Sequence, residues 1–570
     1  MKKLISGVLA ALTLAVALHI APDSDAAKVN YLRLSAESNL SLINGNTYVN
    51  GICGTITADD LIGNFSGSVT LTSPDGKALK GDVPVPADTV ISNGSDSIKV
   101  MIYGDVNRDG KLSASDVSAM MKQISGWNVD VCADAIDLNW DKNSNITDVS
   151  LLLKKLAGWN VCIGVDIIPK QITLSYYDAD CTKMGVIWHS AYKTHNPAVQ
   201  VVEGETDDFA NARTISGDTN PGIGDNNSRA VIDGLEYGKT DSYRVGDASG
   251  FWSESYSFTM RDETEDEFSF VCFTDTQSKN SDPGTNLRAA FRNATSNFPE
   301  AELFLHCGDV VESIGSGDWT EMIDTSAEFF RRYPMMAISG NHETSYAGSM
   351  GIKMQYNHFC TDMPEQESYD GGYFYSFTYG DVHFIMLNTN KQGTADDSLS
   401  DEQMAWLRAD LEANDTKWTV ALMHHPIYST GSGSTDRWID PMVLAIREQL
   451  VPLFTKYGVD IVFAGHDHIY YCTHPIDGEG NVLADPAVTE ENGIPYYTDP
   501  AGVVYTTPGC TGSSSRSINA THPEYYRATG ENITKSYLAV DVKKDSITMK
   551  FCIPGSLGDV EILDSWGIKK

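Results

Sequence analysis

The spacing of apolar positions changes character along the chain. From Ala27 to about Tyr103, short apolar runs are broken by Gly, Asn, Ser and Asp, as in GSVTLTSPDGKALKGDV, which predicts a small all-β module. From about Asp166 to Arg261, the runs QITLSYY, MGVIWHS, AVQVVEG, SRAVIDGL and DSYRVGD recur with turn signals between them. That spacing predicts a β-sandwich of roughly a hundred residues. Beyond about Glu267 strand-like runs alternate with helical ones. FSFVCFTD precedes NLRAAFRNATSNF, LFLHCGD precedes DWTEMIDTSAEFFRRY, and MMAISGNHE is a third strand. VHFIMLNTN, SDEQMAWLRADLEAN, WTVALMHHP, MVLAIREQLVPLFTKYG and VDIVFAGHDH continue the alternation. This predicts an α/β domain with helices covering the sheets and polar residues gathered at strand ends.

Between the first two β regions lies an internal repeat. SGWNV (Ser125 to Val129) is answered by AGWNV (Ala157 to Val161), with a 32-residue offset between the tryptophans. Each copy follows an acidic loop, DVNRDGKLSASD (Asp105 to Asp116) and DLNWDKNSNITD (Asp137 to Asp148). Loop positions 1, 3, 5, 9 and 12 are Asp105, Asn107, Asp109, Ser113 and Asp116, then Asp137, Asn139, Asp141, Asn145 and Asp148. Oxygen donors at this spacing let one loop surround a calcium ion. Helix-like stretches, VSAMMKQI and VSLLLKKL, follow. Residues 104–165 thus resemble a dockerin type I module, a small α-helical domain with two calcium loops. The resemblance implies a cohesin module as partner and placement on the scaffold of a multienzyme complex such as a cellulosome. The second loop departs from the first, with Lys142 in place of Gly110 and Ser144 in place of Leu112, which implies a weaker second calcium site.

Lys2 and Lys3 precede the apolar run LISGVLAALTLAVAL, with small residues near Ala26. Residues 1–26 therefore read as a secretory signal peptide, so a secreted, extracellular protein with no membrane span is expected. The formal charge of −36 excludes a broad basic face for nucleic acid and suits recruitment of cations. The ten cysteines show no compact disulfide spacing; Cys272 and Cys307, inside apolar runs, read as buried thiols.

The strand ends of the α/β region supply Asp275, Asp309, Asn341, His424, His466 and His468. Two carboxylates, an amide oxygen and three imidazoles suit two first-row ions (Fe, Mn or Zn) better than calcium. A metal pair activates water and clamps an in-line displacement at phosphorus. In GHDH a strand would point His466 and His468 the same way.

The ordered set FTDTQ, GDVVE, GNHE, MHHP and GHDH resembles the calcineurin-like metallophosphoesterases, an αββα sandwich, and would occupy residues 262–570. DGLEYGKTDSYRVG, late in residues 166–261, resembles the fibronectin type III-like N-terminal domain of purple acid phosphatases. The resemblance implies that Asp309 bridges two metals. Asp275 and His468 would hold the first, and Asn341, His424 and His466 the second. His342 would serve the transition state or leaving group, and His425 is a candidate phosphate contact. Two positions depart from the family. Gln277 stands where many members have histidine, and Glu312 where purple acid phosphatases have tyrosine; both are candidate extra ligands of the first metal. Without that tyrosine no purple chromophore is expected.

The expected function is a secreted acid-phosphatase-like phosphoester hydrolase in which a metal-bridging hydroxide attacks phosphorus, tethered through its dockerin to a cohesin scaffold. Phosphodiesterase or nucleotidase activity on the same fold, or a scaffold-bound module with an inactive metal site, are the alternatives.

Overall fold

The computed structural model describes residues 32, 34, 41–43, 48–52, 55–139, 143–159, 163, 169–190, 194, 196–221, 226–248, 251–262, 267–279, 284–313, 316–344, 358–362, 373–390, 399–431, 437–519 and 521–570. The signal-peptide reading and the calcium candidate Asp141 fall outside these residues. The chain divides into two compact units, Met1–Val165 and Asp166–Lys570.

In the first unit, a six-stranded sheet runs in the order Ser41–Ile43, Tyr48–Ile52, Ser97–Ile102, Val90–Ser92, Thr70–Thr72, Ala78–Leu79. The module is not all-β, because Ala58–Gly63 is a helix. Its cause is local: Thr57 caps the first turn by accepting the Asp60 N–H, and Asp59 and Asp60 favour the helix N-terminus. The strand Ser97–Ile102 then leads into the first acidic loop. Helices Ala114–Ile124 and Ile146–Leu156 follow the two loops. Both begin with a capping box, Ser113 with Asp116 and Asn145 with Asp148. Loop positions 9 and 12 therefore also start each helix.

The second unit opens with two facing antiparallel sheets. One contains Arg213–Ser216, Pro197–Glu203, Thr240–Asp247, Phe251–Trp252 and Tyr256–Thr259. The other contains Asp218–Pro221, Asn226–Ile232, Met184–Ser190 and Lys170–Tyr176. Trp188, Val199, Tyr243 and Leu174 are among the residues that fill this core.

Two larger sheets follow. The eight-stranded sheet holds Met335–Ala337, Ala301–His306 and Phe268–Phe273 side by side in parallel. The seven-stranded sheet holds Val382–Met386, Trp418–Leu422 and Ile461–Phe463, also parallel. Their strands read as continuous apolar runs because both faces are covered. Phe270 points between the sheets, its ring 5.4 Å from Phe384 and 6.1 Å from Phe463. Val271 and Phe273 point outward to pack with Leu287, Phe291 and Ala294 of the helix Thr285–Asn297. On the far side Ile385, Ala421 and Val462 pack with Leu407 and Leu450, from helices Asp401–Ala413 and Pro441–Tyr457. Each buried Val, Leu, Ile or Phe among these contributes about 1.5–3 kcal/mol. The expected single helix in DWTEMIDTSAEFFRRY is broken at Ser326 into Ser316–Thr325 and Ala327–Phe330. The break turns Phe329 and Phe330 into the core.

Candidate metal centre

Every candidate ligand stands just past the C-terminal end of one of these parallel strands. Asp275 follows Phe268–Phe273, Asp309 follows Ala301–His306, and Asn341 follows Met335–Ala337. His424 follows Trp418–Leu422, and His466 and His468 follow Ile461–Phe463. Parallel sheets collect chemistry at this edge.

The backbone there is strained. Asp275, Gln277, Asp309, His466 and His468 all have positive φ, between 44° and 68°. This left-handed region costs a non-glycine residue about 1–3 kcal/mol and persists only where surrounding contacts impose it. It also corrects the reading of GHDH as a strand: the strand ends at Phe463 and the next begins at Tyr470. Within this turn the two histidines go to different partners. His466 Nδ1 lies 2.8 Å from Asn341 Oδ1, while His468 Nε2 lies 3.4 Å from Asp275 Oδ1. Asp467 turns away and accepts from the Ser429 hydroxyl at 2.7 Å.

Backbone carbonyls set the tautomers. His424 Nδ1–H donates to the Cys307 carbonyl at 2.8 Å, and His468 Nδ1–H donates to that of Ser514 at 2.8 Å. Each Nε2 is then turned toward the cluster, as backbone carbonyls commonly arrange for metal-binding imidazoles. His424 Nε2 sits 3.3 Å from Asp309 Oδ2 and 3.1 Å from Asn341 Oδ1. The buried His468 Nε2 has no hydrogen-bond partner among the described residues. Ring nitrogens this close to carboxylate and amide oxygens need a proton or a metal cation between them, and with His468 Nε2 left without a partner among the described residues this donor set fits metal ions.

Without a metal, a proton on His424 meets the same demand for positive charge: burial opposes that charge, but Asp309 and Asp275 outweigh it and raise the pKa to about 9, so a bound metal would take the place of this proton. Burial likewise opposes ionisation of Asp309, yet His424 holds its carboxyl well below the usual range. Asp275 is raised, chiefly by burial. His468 is lowered to about 4, by burial first and the Arg516 charge second. Two glycines keep the cradle open. A Cβ on Gly340 would lie 2.1 Å from Asp309 Oδ1, and one on Gly465 would lie 2.2 Å from Thr274 Oγ1 and 3.0 Å from Asp275 Oδ2.

The other candidates lie around this cluster. Asp275, Asp309 and His424 form one set of mutually close ligand atoms, and His424, His425 and His466 another. His425 Nδ1 is 3.0 Å from Thr389 Oγ1, and its ring centroid is 4.5 Å from that of His466. His342 donates Nδ1–H to the Glu312 carbonyl at 2.8 Å, which leaves Nε2 3.9 Å from Asp309 Oδ2. Gln277 is buried, with Nε2 3.4 Å from Asp309 Oδ2. Glu312 instead turns its carboxylate to Lys279 Nζ at 3.1 Å. His306 and His383, outside the motif positions, bond Thr276 and Asp410 at 2.8 Å each. Cys272 and Cys307 are unpaired thiols, 3.5 Å apart at sulfur, as are the other described cysteines; Cys53 and Cys162 lie outside the described residues.

Sequence reasoning passed over Glu343 and Arg516. Glu343 is the last letter of GNHE, and its buried carboxylate accepts three backbone N–H groups. Arg516, in CTGSSSRS, donates Nη1–H to the His466 carbonyl at 3.2 Å.

Comparison with known proteins bears on this geometry. Residues 268–470 match the calcineurin-like phosphoesterase family, residues 169–260 the purple acid phosphatase N-terminal domain, and residues 103–157 the dockerin type I domain. Purple acid phosphatase 23 of Arabidopsis thaliana is 34% identical over 187 residues, covering 32% of this chain and 35% of that protein. An uncharacterized protein of Mycobacterium tuberculosis is 30% identical over 172 residues, covering 28% of this chain and 32% of its own. The chain thus spans about a third of the length of the curated relatives it matches. Among solved structures, the purple acid phosphatase PPD1 from yellow lupin seeds superposes with a TM-score of 0.57 at 18% identity, covering 72% of this chain and 76% of that one. PhoD superposes with a TM-score of 0.53 at 14% identity, covering 70% and 90%. These likenesses establish the shared fold. The chain therefore matches, in order, the dockerin type I domain, the purple acid phosphatase N-terminal domain and the calcineurin-like phosphoesterase family, and shares its fold with purple acid phosphatases.

Proposed function

We propose that this protein is a dinuclear-metal phosphoester hydrolase, acid-phosphatase-like, carried on a cohesin-bearing scaffold outside the cell. The observation that carries the catalytic reading is the pair of carbonyl-fixed imidazoles, His424 and His468, whose Nε2 atoms face Asp309 and Asp275. Asp275 and His468 would hold one ion, Asn341, His424 and His466 the other, with Asp309 shared. Gln277, whose amide lies beside Asp309, would add a ligand through its carbonyl oxygen, whereas Glu312 is engaged by Lys279. Iron, manganese and zinc all suit the donor set. When bound, the ions supply Lewis acidity that activates water and offsets charge developing at phosphorus.

The chain's own residues do the rest. His342, part-exposed with Nδ1–H committed to a carbonyl, would act in its doubly protonated form, giving the Nε2 proton to a substrate oxygen or leaving group. His425, anchored by Thr389 beside His466, would meet a phosphate oxygen. Asp105, Asn107, Asp109, Ser113 and Asp116 would hold calcium in the first loop. Asp137, Asn139, Asn145 and Asp148, with Asp141, would do so in the second. Trp127 and Trp159, 63% and 61% exposed at the repeat's equivalent positions, favour a partner on this module, for which the dockerin match suggests cohesin. No described helix is long and apolar enough to cross a membrane.

The test is hydrolysis of a chromogenic phosphomonoester and its diester by the full chain reconstituted separately with iron, manganese and zinc, beside Asn341→Ala. Metal-dependent turnover lost in the variant supports the hydrolase, and the monoester-to-diester ratio decides between phosphatase and phosphodiesterase. Folded protein without turnover on any ion would leave a scaffold-bound, inactive module.

A further inference from the structure

Glu343 is a buried carboxylate, 1% exposed, to which the proposed chemistry gives no task. Its Oε2 accepts the N–H of Gly340 at 2.7 Å and that of Asp309 at 3.0 Å; its Oε1 accepts the Val311 N–H at 3.0 Å. Two of these donors belong to the turn after the strand Ala301–His306, and the third to the turn after Met335–Ala337. A return bond runs from the His342 N–H to Asp309 Oδ1 at 2.9 Å. One side chain thus pins together the turns that present Asp309 and Asn341. Asp309 also holds a left-handed φ of 54° that needs outside contacts to persist.

The partners explain why a carboxylate stands here. All three are donors, so both side-chain oxygens must accept, and only an ionised carboxylate has no donor of its own to set against an N–H. Hydrogen bonds to an ionised acceptor are also about twice as strong as neutral ones. A glutamine of the same shape would turn its NH₂ toward at least one N–H and open that contact. With both oxygens engaged by backbone N–H groups and 1% exposure, Glu343 is shut off from solvent, which separates it from the part-exposed His342.

We infer that Glu343 is a positioning residue: it locks Asp309 and Asn341 at the separation the metal pair requires, and so sets the affinity of the site for its ions. This inference rests on the metal reading above. A clamp serving the fold alone would lower stability and leave metal affinity unchanged.

The experiment compares wild type, Glu343→Gln and Glu343→Asp as full chains. Zinc alone and manganese alone are titrated against a chromogenic chelator, with thermal unfolding of the metal-free proteins alongside. Loss of a residue that orients metal ligands weakens binding by about 10–100-fold, and E343Q is expected in that range. E343D, which keeps both oxygens on a stem one methylene shorter, should fall between the two. Wild-type affinity in a folded E343Q overturns the inference. Should E343Q fail to fold, E343D decides: affinity weakened by about threefold or more supports the role, and wild-type affinity overturns it. A wild-type chain that takes up neither ion overturns the metal reading itself, and the inference with it.

Discussion

The backbone N–H of Ala87 donates to Asp105 Oδ2 at 2.8 Å, so the N-terminal sheet module grips the first position of the first acidic loop. Gly110 donates to the same oxygen at 3.1 Å. Arg108 adds a brace, with Nε donating to Asp88 Oδ2 at 2.8 Å and Nη2 to the Val131 carbonyl at 2.9 Å. Burial raises Asp105 to about 6 and moves Asp116 the same way, a cost that a bound divalent cation relieves. Chelating calcium is expected to lower the melting temperature of this unit by roughly 5–10 °C. Arg108→Ala should cost a further ~1 kcal/mol, discounted because the side chain is a quarter exposed. Calorimetry of the full chain with calcium and with chelator checks both. Identical melts in the two conditions would remove the calcium assignment.

Gly340 is the tightest point of the metal cradle, with the position of a Cβ only 2.1 Å from Asp309 Oδ1. Gly340→Ala must move the Asp309 carboxylate or the turn that carries it. We expect about 1–3 kcal/mol of destabilisation from overpacking and ~10–100-fold weaker metal binding. Chelator competition measures the second effect, and urea unfolding the first. An alanine variant with full metal uptake would show that the turn can relax freely.

These two regions also show what the sequence made legible. Apolar runs ending in Asp275, Asp309, Asn341 and His424 identify the strand ends directly, because the continuous apolar run stops where the chain leaves the sheets. Equal spacing of oxygen donors does the same for the two acidic loops. The turn at His466 and His468 was hidden, because period-2 spacing is the same in a strand and in a turn with two left-handed residues. The role of Glu343 was hidden for another reason. Its three partners are backbone N–H groups of Asp309, Val311 and Gly340, and main-chain donors carry no residue signature. The helix at Ala58–Gly63 was legible in principle, since Thr57 and Asp60 stand at capping-box spacing, but it is shorter than the window in which helical periodicity emerges.

His342 separates catalysis from metal binding. Its Nδ1–H is taken by the Glu312 carbonyl, and its Nε2 is 3.9 Å from Asp309 Oδ2. His342→Gln should therefore lower kcat by about 10²–10³-fold, as expected for removal of a group acting on the transition state, while metal content stays at the wild-type level. Parallel metal analysis and steady-state kinetics decide it. A matching loss of metal would instead make His342 part of the ligand support.

His358 governs a pH response outside the metal site. Its ring is stacked between Trp319 at 4.5 Å and His189 at 4.8 Å. It is buried, and neither ring nitrogen has a hydrogen-bond partner among the described residues. Burial first, and the neighbouring His189 second, push its pKa well below 6.5. Above pH 6.5 the ring is neutral in both the folded and unfolded chains and contributes no slope. As pH falls below 6.5 the unfolded chain takes up a proton that the folded ring refuses, so stability drops by up to ~1.4 kcal/mol per pH unit until the depressed folded pKa is reached. His358→Phe keeps a flat ring in the stack and removes the titration. Urea unfolding of the second unit between pH 7.5 and pH 5 should therefore give a shallower acid decline in H358F than in wild type. Parallel curves would mean that the folded chain protonates His358 after all, and that its stack opens to accept the charge.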